Sequence, residues 1–523
     1  MPQYPRLLHG VLVIGAILAG GCNGEKSMQK SPLRYWYWWP ATTFDTYKAD
    51  MFDVMQIAKN IYAPLVSIYM DGKPQGMVAS DWQVDGSGKT WRFRMRPDLS
   101  FDDGTPITPD IVLKNFRRIL WLTRDEGLIL NSLLPEVKRW KKYEAPLKCL
   151  FAEKDAIVFK FNKRPVNLFE TISQSVYGIA NPKCFDEKGR WKEPLCASAS
   201  GQYKIRELAK DKIVLESRHV FPEADHAPEI VEIHAPSGAE DNVLAALLSG
   251  QGDLTLEPRF ALSKETMGEL RNHDLQILDG PSTNMYFMQL NAHRSPLKDK
   301  GLRQSIRDAF LSSLNANPSF TSQTDVNPSF IPKGGIGYLP LAVPPKPRPG
   351  KSRRGKVEVL FYPLARYPFP RDRRIQEAIE TAVVDSLEAH GLQPHVSRYS
   401  DRSEAIRRLR AGDFDAMVRY TGILINDPYA DLRMMFLSKL GALIPDPSGS
   451  IQELLEETET ESDPVKRKRI VEKINASVFE EASIVTFAHS GLNYVYSRGI
   501  DLSRLNLFSD PIEFRAVGWK PRG

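Results

Sequence analysis

The chain has 523 residues, 42% of them hydrophobic, with 70 basic against 64 acidic side chains and a net charge of +6. A single core stops growing near ~250–300 residues, so a one-core domain is excluded and two or more lobes are expected. The charge excess is mild and local: Lys346, Arg348, Lys351, Arg353, Arg354 and Lys356 share the Pro-rich stretch Ala342 to Lys356. That stretch reads as a solvated connector, and the composition argues against a nucleic-acid binder.

At the start of the chain Arg6 and His9 precede an apolar run, Gly10 to Ala19, that ends in Gly20-Gly21-Cys22. A basic start, a short apolar core and small residues make a secretory signal. The run is too short to span a bilayer, which needs ~20 apolar residues. Leu18-Ala19-Gly20-Gly21-Cys22 resembles a bacterial lipoprotein box with one additional Gly. Residues 1–22 are thus expected to be a lipoprotein signal, with Cys22 lipidated and the protein held at a membrane outside the cytoplasm. Ordinary secretion with an incidental Cys22 is the alternative. Trp36, Trp38 and Trp39 follow, as core packing or as an aromatic wall.

Further along, strands alternate with helices. Thr90 to Arg96 places Trp91, Phe93 and Met95 on one face by a period of two, and Asp155 to Phe161 and Ile213 to Arg218 are similar. Thr108-Pro109-Asp110 opens a helix with a hydroxyl cap, Pro at the first position and an acid. Cys184 and Cys196 flank a polar loop, where a disulfide is reasonable outside the cytosol, although spacing alone does not establish it; Cys149 is left odd and buried. Ser237 to Glu240 fits a capping box before a helix carrying Leu244, Leu247 and Leu248, stopped at Gly250 and followed by a strand, Asp253 to Leu256. Later come the strand Val357 to Tyr362, the helix Arg374 to His390 stopped by Gly391, the strand Pro394 to Tyr399, the helix Ser403 to Arg410 and the strand Phe414 to Tyr420. This β-α-β-α-β order predicts a mostly parallel sheet covered on both faces, with ligands bound beyond the carboxyl ends of its strands, hence after Tyr420. Ser462-Asp463-Pro464 opens a last long helix to about Ala482.

Several patterns that suggest chemistry do not carry it. Gly86 to Thr90 ends like a phosphate loop, but Gln83 stands where its first Gly belongs and a strand follows, so it reads as a hairpin turn. The nine histidines show no metal-ligand spacing, and His219, His226 and His234 read as surface residues. No Gly-x-Ser-x-Gly elbow occurs, and Asp102-Asp103 lies in a turn. Neither a metal, a cofactor nor a catalytic constellation is expected.

Val78 to Arg96 is similar to the A-x-S-W-x-x-x-x-D-G-x-x-[WY]-x-F-x-L-R motif of the family 5 solute-binding proteins of ABC importers, which bind peptides and nickel complexes. Ser100 to Asp110 resembles its F-x-D-G-x-P-[LV]-T-A-x-D, with one residue fewer before the last Asp. Ala199-Ser-Gly-Gln-Tyr203 resembles its G-x-G-P-Y turn, with Ala199 and Gln202 as departures. Thr283 to Phe310, Gly412-Asp-Phe-Asp415 and Asp427-Pro428 follow in the family's order.

The resemblance implies an α/β, two-lobed periplasmic binding protein fold, class II-like, with a ligand cleft between lobes. Lobe I would hold residues 23–281 and 489–523, with about 64–198 as its extra subdomain; lobe II would hold 282–488. A peptide-like ligand would pass to the permease subunits of an ABC importer, and the chain is expected to act as a monomer. Arg366, in Arg366-Tyr-Pro-Phe-Pro-Arg371, matches the Arg that grips a ligand carboxylate in dipeptide binders, with Tyr367 beside it. In the stretch Tyr420, Thr421, Gly422, Leu424, Asn426, the Trp position of the family is Thr421 and its amine-binding Asp position is Leu424. A buried ammonium without a partner costs several kcal/mol, so the ligand's amine is expected either to be blocked or absent, or to be met by another acid, for which Asp50 is the candidate. Asp50, Met51 and Phe52 map to the ligand-contacting loop of lobe I. A nickel chelate or other organic solute, or a sensor or adhesion role on the same fold, are the alternatives.

Overall fold

The protein is described from a computed structural model covering residues 31–37, 41–48, 52–68, 72–124, 128–221, 226–235, 242–258, 262, 264–345, 355–361, 373–398, 402–422, 428–437, 444, 446–507 and 511–520. Cys22, Trp38, Trp39, most of the basic connector and the proposed capping box at 237–240 lie outside these residues. Among the described residues no helix is long and apolar enough to cross a membrane.

A ten-stranded mixed sheet runs through the molecule. From one edge its strands are Leu392–Arg398, Gly355–Phe361, Ala416–Gly422, Leu275–Leu290, Ile484–Ser497, Leu254–Pro258, Leu33–Trp36, Ile230–His234, Lys212–Ser217 and Tyr203–Leu208. The first three form the expected parallel section, with Gly355–Phe361 parallel to both neighbours. The helix Arg373–Glu388 crosses between them and buries Ile375, Ile379, Ala382 and Leu387. It stops at Gly391, whose φ of +76° is the left-handed conformation that ends helices cheaply only with glycine.

Several boundaries differ from the sequence expectation, among them the strand placed at Pro394 to Tyr399, which runs over Leu392–Arg398. The strand placed at Phe414 to Tyr420 runs instead over Ala416–Gly422. Phe414 packs with Leu360, Leu409 and Met417, and Asp415 accepts from the Glu358 amide at 2.8 Å, so pairing begins only after this anchor. The family-like segment Thr283 to Phe310 opens inside a strand that begins eight positions earlier, at Leu275. Gly280-Pro281 looks like a break in sequence, yet the antiparallel ladder with Ile484–Ser497 steps around it by register shifts between Asp279 and Asn284. The backbones come so close there that a Cβ on Gly491 would sit 2.5 Å from the Pro281 carbonyl oxygen. These two long strands join the two sections of the sheet.

A second, four-stranded antiparallel sheet has the order Ala79–Val84, Thr90–Met95, Ala156–Lys160, Leu150–Ala152. Its hairpin at Asp85 to Thr90 is the turn that resembled a phosphate loop: the Asp85 carboxylate accepts from the Lys89 and Thr90 amides and the Ser87 hydroxyl. The helix Pro109–Leu122 covers this sheet, with the Thr108 hydroxyl accepting from the Ile111 amide at 3.4 Å and Phe116 packed on Phe159 and Tyr177.

The motifs that mark the sequence hold this region together. Asp102 accepts from the Ser198 hydroxyl at 2.8 Å and the Ala199 amide at 3.0 Å, tying the two turns to each other. A Cβ on Gly201 would lie 2.8 Å from the Asn60 carbonyl oxygen, so that turn demands glycine. Cys184 and Cys196 form a disulfide with their Cα atoms 5.5 Å apart, and Cys149 is free and buried. Arg118, almost fully buried, donates to Asp45 Oδ1 at 2.5 Å, the Gly189 carbonyl at 2.7 Å and Thr46 Oγ1 at 3.3 Å.

Candidate functional site

Side chains of a strand alternate between faces, and the central sheet uses both. Tyr286, Met288, Leu290, Ala416 and Val418 join one core with the helices Lys300–Asn315 and Arg373–Glu388. Met285 and Phe287 face the opposite side, packed with Phe330, Ile331 and the helices Tyr429–Leu437, Ser450–Thr460 and Pro464–Glu481.

The candidate site lies where the parallel section meets the two long strands. Tyr420, Thr421 and Gly422 stand in register beside Tyr286, Met285 and Asn284. Those three in turn stand beside Ala488, His489 and Ser490. Three of the residues singled out in sequence are therefore brought against the crossing strands. Phe52 begins the helix Phe52–Ile61, of which only the backbone is described at that position. Asp50, Met51, Arg366, Tyr367, Leu424 and Asn426 lie outside the described residues.

The crossing carries polar groups that sequence reasoning passed over. His489 has its Nε2 3.4 Å from the Phe330 carbonyl oxygen, while its Nδ1 is buried without a hydrogen-bond partner among the described residues. Burial pushes its pKa down to about 4, so the ring is neutral at pH 7. Asn284 Nδ2 and both amide atoms of Asn493 are likewise buried and unpartnered among the described residues. Each such group costs on the order of 1–3 kcal/mol. These buried polar side chains fall on two adjacent strands, Leu275–Leu290 and Ile484–Ser497. The available signal was a histidine in an otherwise apolar strand, Ile484-Val-Thr-Phe-Ala-His489, and an arginine within Ala416-Met-Val-Arg-Tyr420.

The four-stranded-sheet region and the helix Ser450–Thr460 also touch. Glu459 pairs with Lys163, and with Arg433 at 3.0 Å, and accepts from the Ser132 hydroxyl at 3.2 Å. Burial alone would raise the Glu459 pKa, but its bond to Lys163 and the Arg433 charge hold it below the ordinary value. Elsewhere, the histidines form carboxylate contacts: His219 lies 2.8 Å from Glu229, and His234 lies 3.2 Å from Glu232 and stacks on Trp36. Trp36 itself packs on the core of that section.

A mixed sheet in two sections, joined by two long strands with a polar crossing, defines a solute-binding protein of the two-lobed α/β periplasmic type, with an additional subdomain and a cleft between lobes. The chain belongs to the bacterial extracellular solute-binding proteins, family 5, whose middle-region model matches residues 73–441. It is 21% identical over 442 residues to the probable D,D-dipeptide-binding periplasmic protein DdpA of Escherichia coli, covering 81% of this chain and 82% of that one. An 85-residue stretch is 37% identical to the nickel-binding periplasmic protein of Escherichia coli, covering 16% of each chain. Among solved structures, the periplasmic binding protein DppA of Helicobacter pylori in complex with the peptide STSA matches with a TM-score of 0.74 and 14% identity, over 94% of this chain and 98% of that one.

Proposed function

We propose that the chain is an extracytoplasmic lipoprotein that captures a peptide or peptide-like acid and delivers it to the permease of an ABC importer. The observation that carries this reading is the family match across residues 73–441. Lobe I comprises residues 23–281 and 489–523 and lobe II residues 282–488, with the hinge near Gly280 and Gly491, and closure is a rotation about it. Arg366 and Tyr367 take the acid end of the solute, residues 420–426 shape the other end, and Asp50, Met51 and Phe52 contribute from lobe I. Cys22 carries the lipid, and the chain works as a monomer. Leu424 in place of an amine-pairing Asp favours a solute whose amine is blocked or absent.

Native mass spectrometry of the protein purified from its own cells tests this reading. A co-purifying peptide-like acid is the expected result, and calorimetry with that compound should show Arg366→Ala weaker by about 2–5 kcal/mol. Turnover of the bound compound, or unchanged affinity in Arg366→Ala, would refute the assignment. Cys22→Ala should release the protein from membranes. The nickel-binding relative supports a second reading, capture of a metal chelate, which predicts metal in the same spectrum.

A further inference from the structure

One loop in the region of the four-stranded sheet is pinned in place yet carries charge that the protein leaves unmet. Residues 136–148 close on themselves: Glu136 Oε2 accepts from the Lys148 amide at 2.8 Å, and the Trp140 indole N–H donates to the Ala145 carbonyl at 3.0 Å. Arg117, on the helix Pro109–Leu122, fastens the loop by donating to the carbonyls of Tyr143 and Ala145. Its guanidinium lies over the Trp140 and Tyr143 rings, and Trp121 packs against both rings. From this frame Lys138, Arg139, Lys141, Lys142 and Lys148 are exposed to solvent. Among the described residues none of the five forms an ion pair. Lys114 is exposed beside them, on the helix face that also carries Arg117 and Trp121. The acids of the loop are Glu136, spent on the Lys148 amide, and Glu144. Other surface cations of this region sit beside carboxylates: Arg92 touches Glu153 and Asp155, Lys183 touches Asp103, and Arg190 touches Asp186. Like charges in one small loop repel, and here the ring packing and the Arg117 bonds hold them together.

We infer that the loop 136–148 is a membrane-docking surface that rests on anionic phospholipid headgroups. Four of its five cations are lysines, point charges on flexible stems that suit a distributed anionic plane, whereas the grip on one small acid uses the planar fork of arginine. The half-buried rings of Trp121 and Tyr143 stand among these charges, and cations interleaved with amphipathic rings are the composition that settles at a headgroup boundary. The inference rests on the lipoprotein reading above and adds a second contact to it. Eight residues separate Cys22 from Ser31, and a chain of that length reaches at most ~30 Å. An anchored body therefore meets the headgroups at high effective concentration, and a contact too weak to hold a free protein is enough to orient a tethered one. The task of the loop is that orientation.

The test adds the full-length lipoprotein to preformed vesicles of phosphatidylcholine alone, or of phosphatidylcholine and phosphatidylglycerol in equal parts. A membrane-impermeant amine reagent then labels accessible lysines, and mass spectrometry counts each site. Phosphatidylglycerol should cut labelling of Lys138, Lys141, Lys142 and Lys148 by roughly threefold or more, and high salt should restore it, because the attraction is screened. Lys210, exposed in the turn between Tyr203–Leu208 and Lys212–Ser217, should label equally on both vesicles. Combining Lys138→Gln, Arg139→Gln, Lys141→Gln and Lys142→Gln should abolish the protection of Lys148 and leave the melting temperature unchanged. Equal labelling of the loop on the two kinds of vesicle overturns the docking surface. If native membranes protect the loop and protein-free phosphatidylglycerol vesicles do not, the partner is a protein and the membrane assignment is overturned. Sedimentation separates this inference from the anchor. A chain that sediments only with phosphatidylglycerol vesicles, and no longer does so in the combined variant, removes the anchor and keeps the docking surface. A chain that sediments with neither removes both. Should the combined variant fail to fold, Lys141→Gln with Lys142→Gln carries the same prediction.

Discussion

Two arginines, the buried Arg118 in the region of the four-stranded sheet and the half-buried Arg419 on the central sheet, differ in how far their donors are met. Arg118 is 1% exposed and spends its donors on Asp45, Thr46 and the Gly189 carbonyl, while its carbon lies 5.0 Å from the centre of the Trp191 ring. Among the described residues Arg419 donates to one neutral acceptor, Gln289. The contrast extends to other charges. Arg303 donates to the carbonyls of Leu297, Lys298 and Glu481, and Glu513 is held by Lys59 at 2.9 Å and Arg515 at 2.7 Å. A charge that holds a scaffold is saturated by the scaffold.

The largest expected effect on this contrast comes from Arg118→Ala. It strands the Asp45 carboxylate beside apolar rings and should cost about 3–5 kcal/mol, read from urea unfolding. A loss under about 1 kcal/mol would erase the distinction between the two arginines. Glu513→Gln comes next and sharpens the comparison through pH. Burial alone would raise the Glu513 pKa, but Lys59 and Arg515 more than offset that and hold it at about 2, below the ordinary value of 4.5. The folded state therefore binds this proton more weakly than the unfolded chain does. The resulting stability is complete above about pH 5 and is lost as pH falls toward 2, on the order of a few kcal/mol. Unfolding of wild type and Glu513→Gln across that window should show the slope only in the wild type. A parallel slope in the variant assigns the acid sensitivity to other carboxylates.

The smallest expected effect is that of Lys163→Ala. Lys163 and Glu459 keep 24% and 15% of their side-chain surface, so this contact is partly solvated and worth roughly 0.5–1.5 kcal/mol. It joins the four-stranded-sheet region to the helix Ser450–Thr460, so the loss should appear in solute affinity and in the radius of gyration of the solute-free protein, with little change in unfolding free energy. A change confined to unfolding makes the pair ordinary scaffold, like Arg118.

Local chemistry accounts for what could be read in advance. The hairpin at Asp85 to Thr90, the cap at Thr108 and the cap at Asp463, whose carboxylate accepts from Val465 and Lys466, each depend on a few consecutive residues. The same holds for the parallel section between Gly355 and Gly422, where the period of each segment names its element. The family motifs were visible because they are continuous in sequence, and they prove to be scaffold: Asp102, Gly201 and Tyr203 fasten turns and core.

What the chain order could not reveal was partnership across distance. The amino-acid sequence by itself determined the alternation of elements, the caps and the family. Only the tertiary structure decided that Leu275–Leu290 runs unbroken past Gly280-Pro281, because its partner strand supplies the ladder bonds that the local sequence argues against. Only the tertiary structure showed what completes Arg118, since Asp45, Thr46 and Gly189 lie far from it along the chain. An arginine's role is set by the charges that reach it, and those are brought together by folding.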